Sequence, residues 1–217
     1  MNISKTKKLT TIGMLCALAY AVTAIGRVPL VLFLKYDPKD VIIVIGGLIF
    51  GPLTALAVTI VVSAIEMVTI SSTGIIGCIM NIISSCSFAC TASLVYKKKH
   101  KLSGAVLGLL CGWIFQTAVM MLWNYLITPI YMGYPRTAVV ELLLPVFLPF
   151  NLVKGGLNTA ITLFIYKPVV TALRRSNVIE NPHDTDKMRI NTGIIVAAVV
   201  IITACVILIL VPMSPST

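Results

Sequence analysis

The sequence predicts an all-α integral membrane protein, a bundle of six membrane-spanning helices followed by a seventh C-terminal transmembrane helix. Three observations lead there. Of 217 residues, 58% are hydrophobic and only 11% are charged, against about 25% charged in soluble domains. The mean hydropathy is +1.01. The apolar residues are gathered into long runs almost free of charge, of the length that crosses a bilayer.

The elements follow in order. Lys5, Lys7 and Lys8 precede a first run from Leu9 to Ile25, which Arg27 and Pro29 end. A secretory signal opens in a similar way, but many apolar runs follow, so this one reads as a retained helix. The connector Val28 to Lys39 is apolar and then polar, closing on Lys35-Tyr36-Asp37-Pro38-Lys39-Asp40. The second run, Val41 to Phe50, rises only about 15 Å as a helix. Either it begins earlier, near Asp37, or it forms a tilted hairpin with the third run, Leu53 to Ile70, across the Gly51-Pro52 break. After a turn at 71–74, the fourth run goes from Ile75 to Tyr96 and meets Lys97, Lys98, Lys99, His100 and Lys101. The fifth goes from Leu102 to Ile127. A long connector, Thr128 to Glu141, carries Pro129, Gly133, Pro135 and Arg136. The sixth run, Leu142 to Ile165, has Pro145 and Pro149 in its first turns. Residues 1–175 thus read as one six-span membrane domain. Residues 176–191 read as a polar linker, and 192–217 as an added transmembrane helix (Thr192 to Val211) with a short tail.

The net charge of +10 sits in short connectors, which makes it a topology and lipid-headgroup signal rather than a nucleic-acid footprint. With a cytoplasmic N-terminus, the N-terminal lysines, the Lys97–Lys101 cluster and the Lys167–Arg189 cations all fall inside. The positive-inside rule therefore predicts that orientation in the cell membrane, with the seventh span placing the C-terminus outside. The six cysteines lie in or beside apolar runs without CxxC spacing, so they read as small buried side chains, with no metal and no disulfide framework. No Walker A string, nucleophile–base set or chain of acids occurs. The chain is not expected to be an enzyme or to need a cofactor.

Polar groups in hydrocarbon are costly unless satisfied, so each one inside a span is a candidate site residue. The strongest are Glu66, Asn81, Gln116, Asn124, Asn151, Lys154 and Asn158. Glu66 reads as the sole in-span acid apart from Glu141 at a boundary. Under the expected topology Glu66, Asn81, Asn124, Asn151 and Lys154 cluster in the outer half of the membrane, which suggests a pocket open to the outside. Asn151, Lys154 and Asn158 share one helical face at i, i+3 and i+7. A buried ammonium needs a partner, and Glu66 is the simplest structural one for Lys154. Amides with one cation and one acid favour a neutral, hydrogen-bonding ligand. Trp113, Trp123, Tyr125, Tyr131 and Tyr134 read as interface anchors, one or two of them placed to stack on a flat ligand. Gly13, Ala17 and Ala21 form a small-residue stripe, which serves either packing within the bundle or docking of a partner.

Three strings resemble a known family, the substrate-binding S components of energy-coupling-factor (ECF) vitamin transporters, and the riboflavin type in particular. They are Leu34-Lys35-Tyr36-Asp37-Pro38-Lys39-Asp40-Val41 running into Gly47-Leu48-Ile49-Phe50-Gly51-Pro52; Gly77-Cys78-Ile79-Met80-Asn81; and Pro149-Phe150-Asn151-Leu152-Val153-Lys154-Gly155 with Asn124-Tyr125 before it. The resemblance covers roughly residues 9–175. It implies a six-helix fold that binds riboflavin near the outer face and works with a transmembrane scaffold subunit and two ATP-binding subunits. It implies ligand contacts at Asn124, Asn151 and Lys154, with Asn81 on the looser motif. It also implies a lid over Leu32, Leu34, Lys35 and Tyr36, and partner docking at Ala17 and Ala21. The seventh span departs from the six-span pattern. Alternatives are an S component for another vitamin or a flavin phosphate (thiamine, folate, pyridoxine, FMN) and a non-transport structural subunit.

Overall fold

The computed structural model describes residues 5–31, 34–71, 73–99 and 102–175. The linker and the expected seventh helix lie outside the described residues. The described residues are almost wholly helical: α1 Lys5–Gly26, β1 Val28–Val31, β2 Leu34–Tyr36, α2 Lys39–Phe50, α3 Pro52–Thr69, α4 Gly74–Lys98, α5 Leu102–Met132, α6 Arg136–Leu142, a π-helical segment Leu143–Phe147, and α7 Leu148–Arg175. Among the described residues, five stretches are long and apolar enough to cross a membrane. They are α1, α3, α4, α5 and the continuous run from α6 into α7.

The molecule turns apolar side chains outward. Leu53, Val68, Ile114, Leu122 and Phe164 are each at least 60% exposed, a surface that lipid solvates and water does not. Inside, Ile43, Val44, Val58, Val62, Phe88 and Leu109 form the main core.

The second run resolves as the expected alternative in which the helix begins early. α2 starts at Lys39 and has 12 residues, about 18 Å of rise, less than the hydrocarbon thickness that a full-length span matches. It returns the chain toward the start of α3 as an interior helix, with nine of its residues buried. Gly51, at φ 95°, makes the sharp reversal into α3, a conformation glycine adopts without steric cost.

Both long connectors carry regular structure. The connector Val28 to Lys39 holds a small antiparallel hairpin pairing Val28 with Tyr36 and Pro29 with Lys35. The Thr128 to Glu141 connector is mostly helix, because α5 runs on to Met132 through Pro129 and α6 begins at Arg136. Arg136 lies 6.0 Å from the Tyr125 ring centroid, a cation–π contact that holds α6 to α5. α6 also buries Val139 with Phe147, Phe150 and the hairpin's Leu34 in a second apolar cluster. Pro145 falls in the π-helical turn, where the backbone pattern is already broken.

α4 and α5 pack at backbone distance. A Cβ at Gly108 would stand 2.5 Å from the Ala92 carbonyl oxygen, and one at Gly112 would stand 2.6 Å from that of Phe88. Small residues at a helix interface permit this approach, and main-chain oxygens cannot swing away as a side chain does. Gly112→Ala is therefore expected to destabilise the folded protein by about 1–3 kcal/mol, read as a lower melting temperature in detergent. An unchanged melting temperature would show that the two helices separate without cost.

Candidate ligand-binding site

The site is organised by charge. Lys39 and Asp40, on the first turn of α2, are 0% and 1% exposed. Around them stand the end of α1, the strand-to-helix corner at Asp37, Glu66 on α3 and Lys154 on α7. Arg27 Nε donates to Asp37 Oδ1 at 2.5 Å and Arg27 Nη2 to Glu66 Oε2 at 2.9 Å. Lys39 Nζ donates to the same Glu66 oxygen at 2.5 Å and lies 3.8 Å from Asp37 Oδ2. Asp40 is held separately. Ser85 Oγ donates to its Oδ1 at 2.5 Å, while Asn158 Nδ2 and Lys154 Nζ each reach its Oδ2 at 3.2 Å. Three cations face three carboxylates, and the sum is zero.

Outside the spans, the same contacts set proton affinities. Burial pushes the Asp37 carboxyl up, but Lys39, Lys154 and Arg27 more than offset it, so it is held below the ordinary carboxylate range. Burial opposes the Arg27 charge, yet its bonds to Asp37 and Glu66 hold the guanidinium above its usual value.

Beside this network, walled by the hairpin, lies an open cavity of about 280 Å³ lined by Leu34, Lys35, Asn81, Ser84, Asn151 and Lys154. A second, of about 340 Å³, shares Lys35 and Asn81 and reaches Arg27, Asp37, Ser71 and Thr73. The polar atoms here retain unused capacity. Asn151 Nδ2 donates to the Phe147 carbonyl in its own helix at 2.8 Å, leaving the buried Oδ1 without a partner. Lys154 donates to Asp40 and to Ser84 Oγ, the latter at 3.2 Å. An ammonium carries three protons, so one remains for a ligand. Asn124 Oδ1 accepts from Thr128 at 3.0 Å, while its Nδ2 is buried and unpaired.

The structure brings Asn81, Asn151, Lys154, Leu34 and Lys35 to one cavity. Asn124 is fully buried on α5 and does not line that cavity. Tyr36 is buried in β2, and Leu32 lies outside the described residues. Glu66 is not Lys154's partner: it neutralises Arg27 and Lys39, while Lys154 pairs with Asp40. Gln116 Nε2 donates to Ser84 Oγ at 3.3 Å and Asn158 holds Asp40, so both brace the site from behind. Gly13, Ala17 and Ala21 all lie on the exposed face of α1, whereas Thr11, Cys16, Ala19 and Thr23 turn inward, so the stripe is not used for packing among the described helices.

Sequence reasoning missed Arg27, Asp37, Lys39 and Asp40 as interior charges and treated Glu66 as the lone in-span acid. One signal was present. A hydrophobic run too short to span, with charges at its head, belongs inside a bundle, and its charges go in with it.

A multispan helical bundle with a polar cavity sunk into one end is a membrane-embedded solute-binding protein. The chain belongs to the family of ECF transporter substrate-specific components, whose model matches residues 7–166. It is 28% identical over 184 residues to the riboflavin transporter RibU of Staphylococcus aureus (strain TCH60), covering 81% of this chain and 96% of that protein. It is 29% identical over 188 residues to the riboflavin transporter FmnP of Bacillus subtilis (strain 168), covering 80% and 99%. Its fold matches the solved S component of a bacterial ECF transporter with a TM-score of 0.68 at 27% identity, over 79% of this chain and all of that one.

The depressed Asp37 value has a signed consequence. Its ionised form adds stability above the unfolded-state pKa, and that stability is lost as pH falls through the lower folded-state value. The melting temperature of the full chain in detergent is expected to drop below about pH 4, and Asp37→Asn to flatten that acid limb while lowering stability at neutral pH. Identical acid limbs for the two proteins would remove Asp37 from the network.

Proposed function

We propose that this chain is the riboflavin-binding subunit of an ECF-type importer. It captures the vitamin from outside the cell and delivers it inward with an ATP-driven module of one transmembrane scaffold and two ATP-binding subunits. The observation that carries this reading is the cavity where Asn81, Asn151 and Lys154 meet with hydrogen-bonding capacity to spare. A flavin presents a pyrimidine edge of alternating donors and acceptors. The free Asn151 Oδ1 matches its N–H, and the third Lys154 proton matches a ring carbonyl. The charge network sums to zero without a ligand, which favours an uncharged one: a net charge added here is poorly solvated. The names of the two relatives point the same way.

In this reading the hairpin end faces outward, because Lys97 and Lys98 close the opposite end of α4 and the positive-inside rule places them in the cytoplasm. Leu34, Lys35 and Tyr36 form the lid, clamped by the apolar cluster on α6 and α7. The exposed Gly13, Ala17 and Ala21 receive the scaffold subunit. A flavin phosphate is the second reading, favoured by one observation: Lys35 lines both cavities.

Protein purified in detergent from rich medium is expected to carry the yellow absorption of bound flavin, and ligand-free protein to quench riboflavin fluorescence. Neither signal appearing would remove the flavin assignment. Asn151→Ala and Lys154→Ala are each expected to weaken binding by about 1–3 kcal/mol, the cost of one unmet buried hydrogen bond; unchanged affinity in both would misplace the site. Ala17→Trp is expected to abolish cellular uptake while leaving riboflavin affinity intact. Normal uptake by that variant would exclude docking on this face.

A further inference from the structure

The interior ions divide into two groups, and each group is neutral by itself. Arg27 and Lys39 face Asp37 and Glu66. Lys154 faces Asp40. One turn of α2 completes both. Lys39 bonds to Glu66 on α3 and gives the first group its second cation. Asp40, the next residue, bonds instead to Ser85 on α4 and to Asn158 and Lys154 on α7, and gives the second group its anion. The two members of that second pair meet the binding cavity differently. Lys154 lines it, whereas Asp40 is not among the lining residues and is 1% exposed. Lys35, the other cation lining the cavity, is half-exposed on the hairpin, so solvent and salt screen its charge. The Lys154 ammonium is buried, and what cancels it is a carboxylate behind the wall.

We propose that Asp40 sets the charge selectivity of the cavity: by holding Lys154 compensated, it admits an uncharged ligand and turns away one that bears a phosphate. The inference rests on the flavin reading above. A phosphate adds about −1.5 to −2 charge at pH 7. Next to a compensated pair, that charge has no counter-ion among the buried groups of the wall, and burying it uncompensated is costly. With Asp40 neutral, three interior cations face two carboxylates, and the surplus stands at Lys154, the member of the network on the cavity wall. The same cavity then favours an anion. Asp40 is a positioning and neutralising residue, since it acts through Lys154 and not by touching the ligand.

The test is a titration of full-length, ligand-free protein in detergent at neutral pH with riboflavin and with riboflavin 5′-phosphate, each followed by quenching of flavin fluorescence. The wild type is expected to prefer riboflavin. Asp40→Asn keeps the shape and removes the charge, and is expected to shift the affinity ratio toward the phosphate by about tenfold or more, the low end of what a close buried charge pair contributes. Asp40→Glu keeps the charge in a perturbed shape and is expected to hold the ratio near that of the wild type, even where it weakens both ligands. Both ligands are compared on one preparation, so a misfolded fraction does not move the ratio. Asp40→Ser, which leaves Lys154 a hydroxyl acceptor but no charge, serves if Asp40→Asn does not fold. A ratio unchanged in the neutral variants, an equal shift in Asp40→Glu, or a wild type that takes the phosphate as tightly as riboflavin overturns the role of Asp40 and leaves the flavin reading standing. A wild type that binds neither flavin overturns both.

Discussion

The constraint behind the whole structure is that hydrocarbon does not solvate charge. An ion left alone there costs several kcal/mol even after relaxation, so charges brought into the bundle must cancel one another where they sit. Arg27, Lys39 and Lys154 do so against Asp37, Asp40 and Glu66. The arrangement explains features that otherwise look unrelated. α2 is short because its head must stop at the depth where Glu66 and Lys154 wait. The hairpin stands where it does because Arg27 fixes one of its ends and Asp37 the other. α7 is aligned with α2 through Asp40, which accepts from Asn158 as well as from Lys154. At the far end the bundle is drawn together by a different device, the 2.8 Å hydrogen bond between Tyr96 on α4 and Tyr166 on α7.

The fold was legible wherever a single local property determined it. Apolar runs delimited α1, α3, α4 and most of α5 and α7, since length and hydropathy suffice to place a helix in a bilayer. Gly51-Pro52 marked the α2–α3 reversal. What escaped was set by tertiary contact. Helix continued through Pro129, and α6 formed in a stretch rich in breakers, because Val139 and Arg136 find partners that no local pattern specifies. The site divided in the same way. Amides and the ammonium inside apolar runs were visible because they contradict their surroundings. Lys39 and Asp40 were not, because in the sequence they sit among other charges and resemble a solvated turn. The choice of Asp40 over Glu66 as partner for Lys154 depends on which helices are neighbours, and sequence spacing alone cannot decide that.

The network also separates structural from receptive chemistry. Its ions are spent on one another, and Ser84, Ser85, Gln116 and Asn158 hold them in place. What faces the cavity is a smaller set with valences left over: the Asn151 carbonyl and one ammonium proton of Lys154. Orientation of these groups is fixed before anything binds, since Asn151 is tied to its own helix and Lys154 to two partners. Preorganisation of this kind lowers the ordering cost of association.

The outward stripe of α1 carries a consequence of its own. Gly13, Ala17 and Ala21 have almost no rotamers to lose, so a second helix that settles on them freezes very little side-chain motion. A Cβ built at Gly13 meets no atom of the described residues within 4 Å. Contact along such a track rests on backbone proximity summed over many weak dispersion terms. A surface of that kind can be joined and left repeatedly without repacking the body behind it.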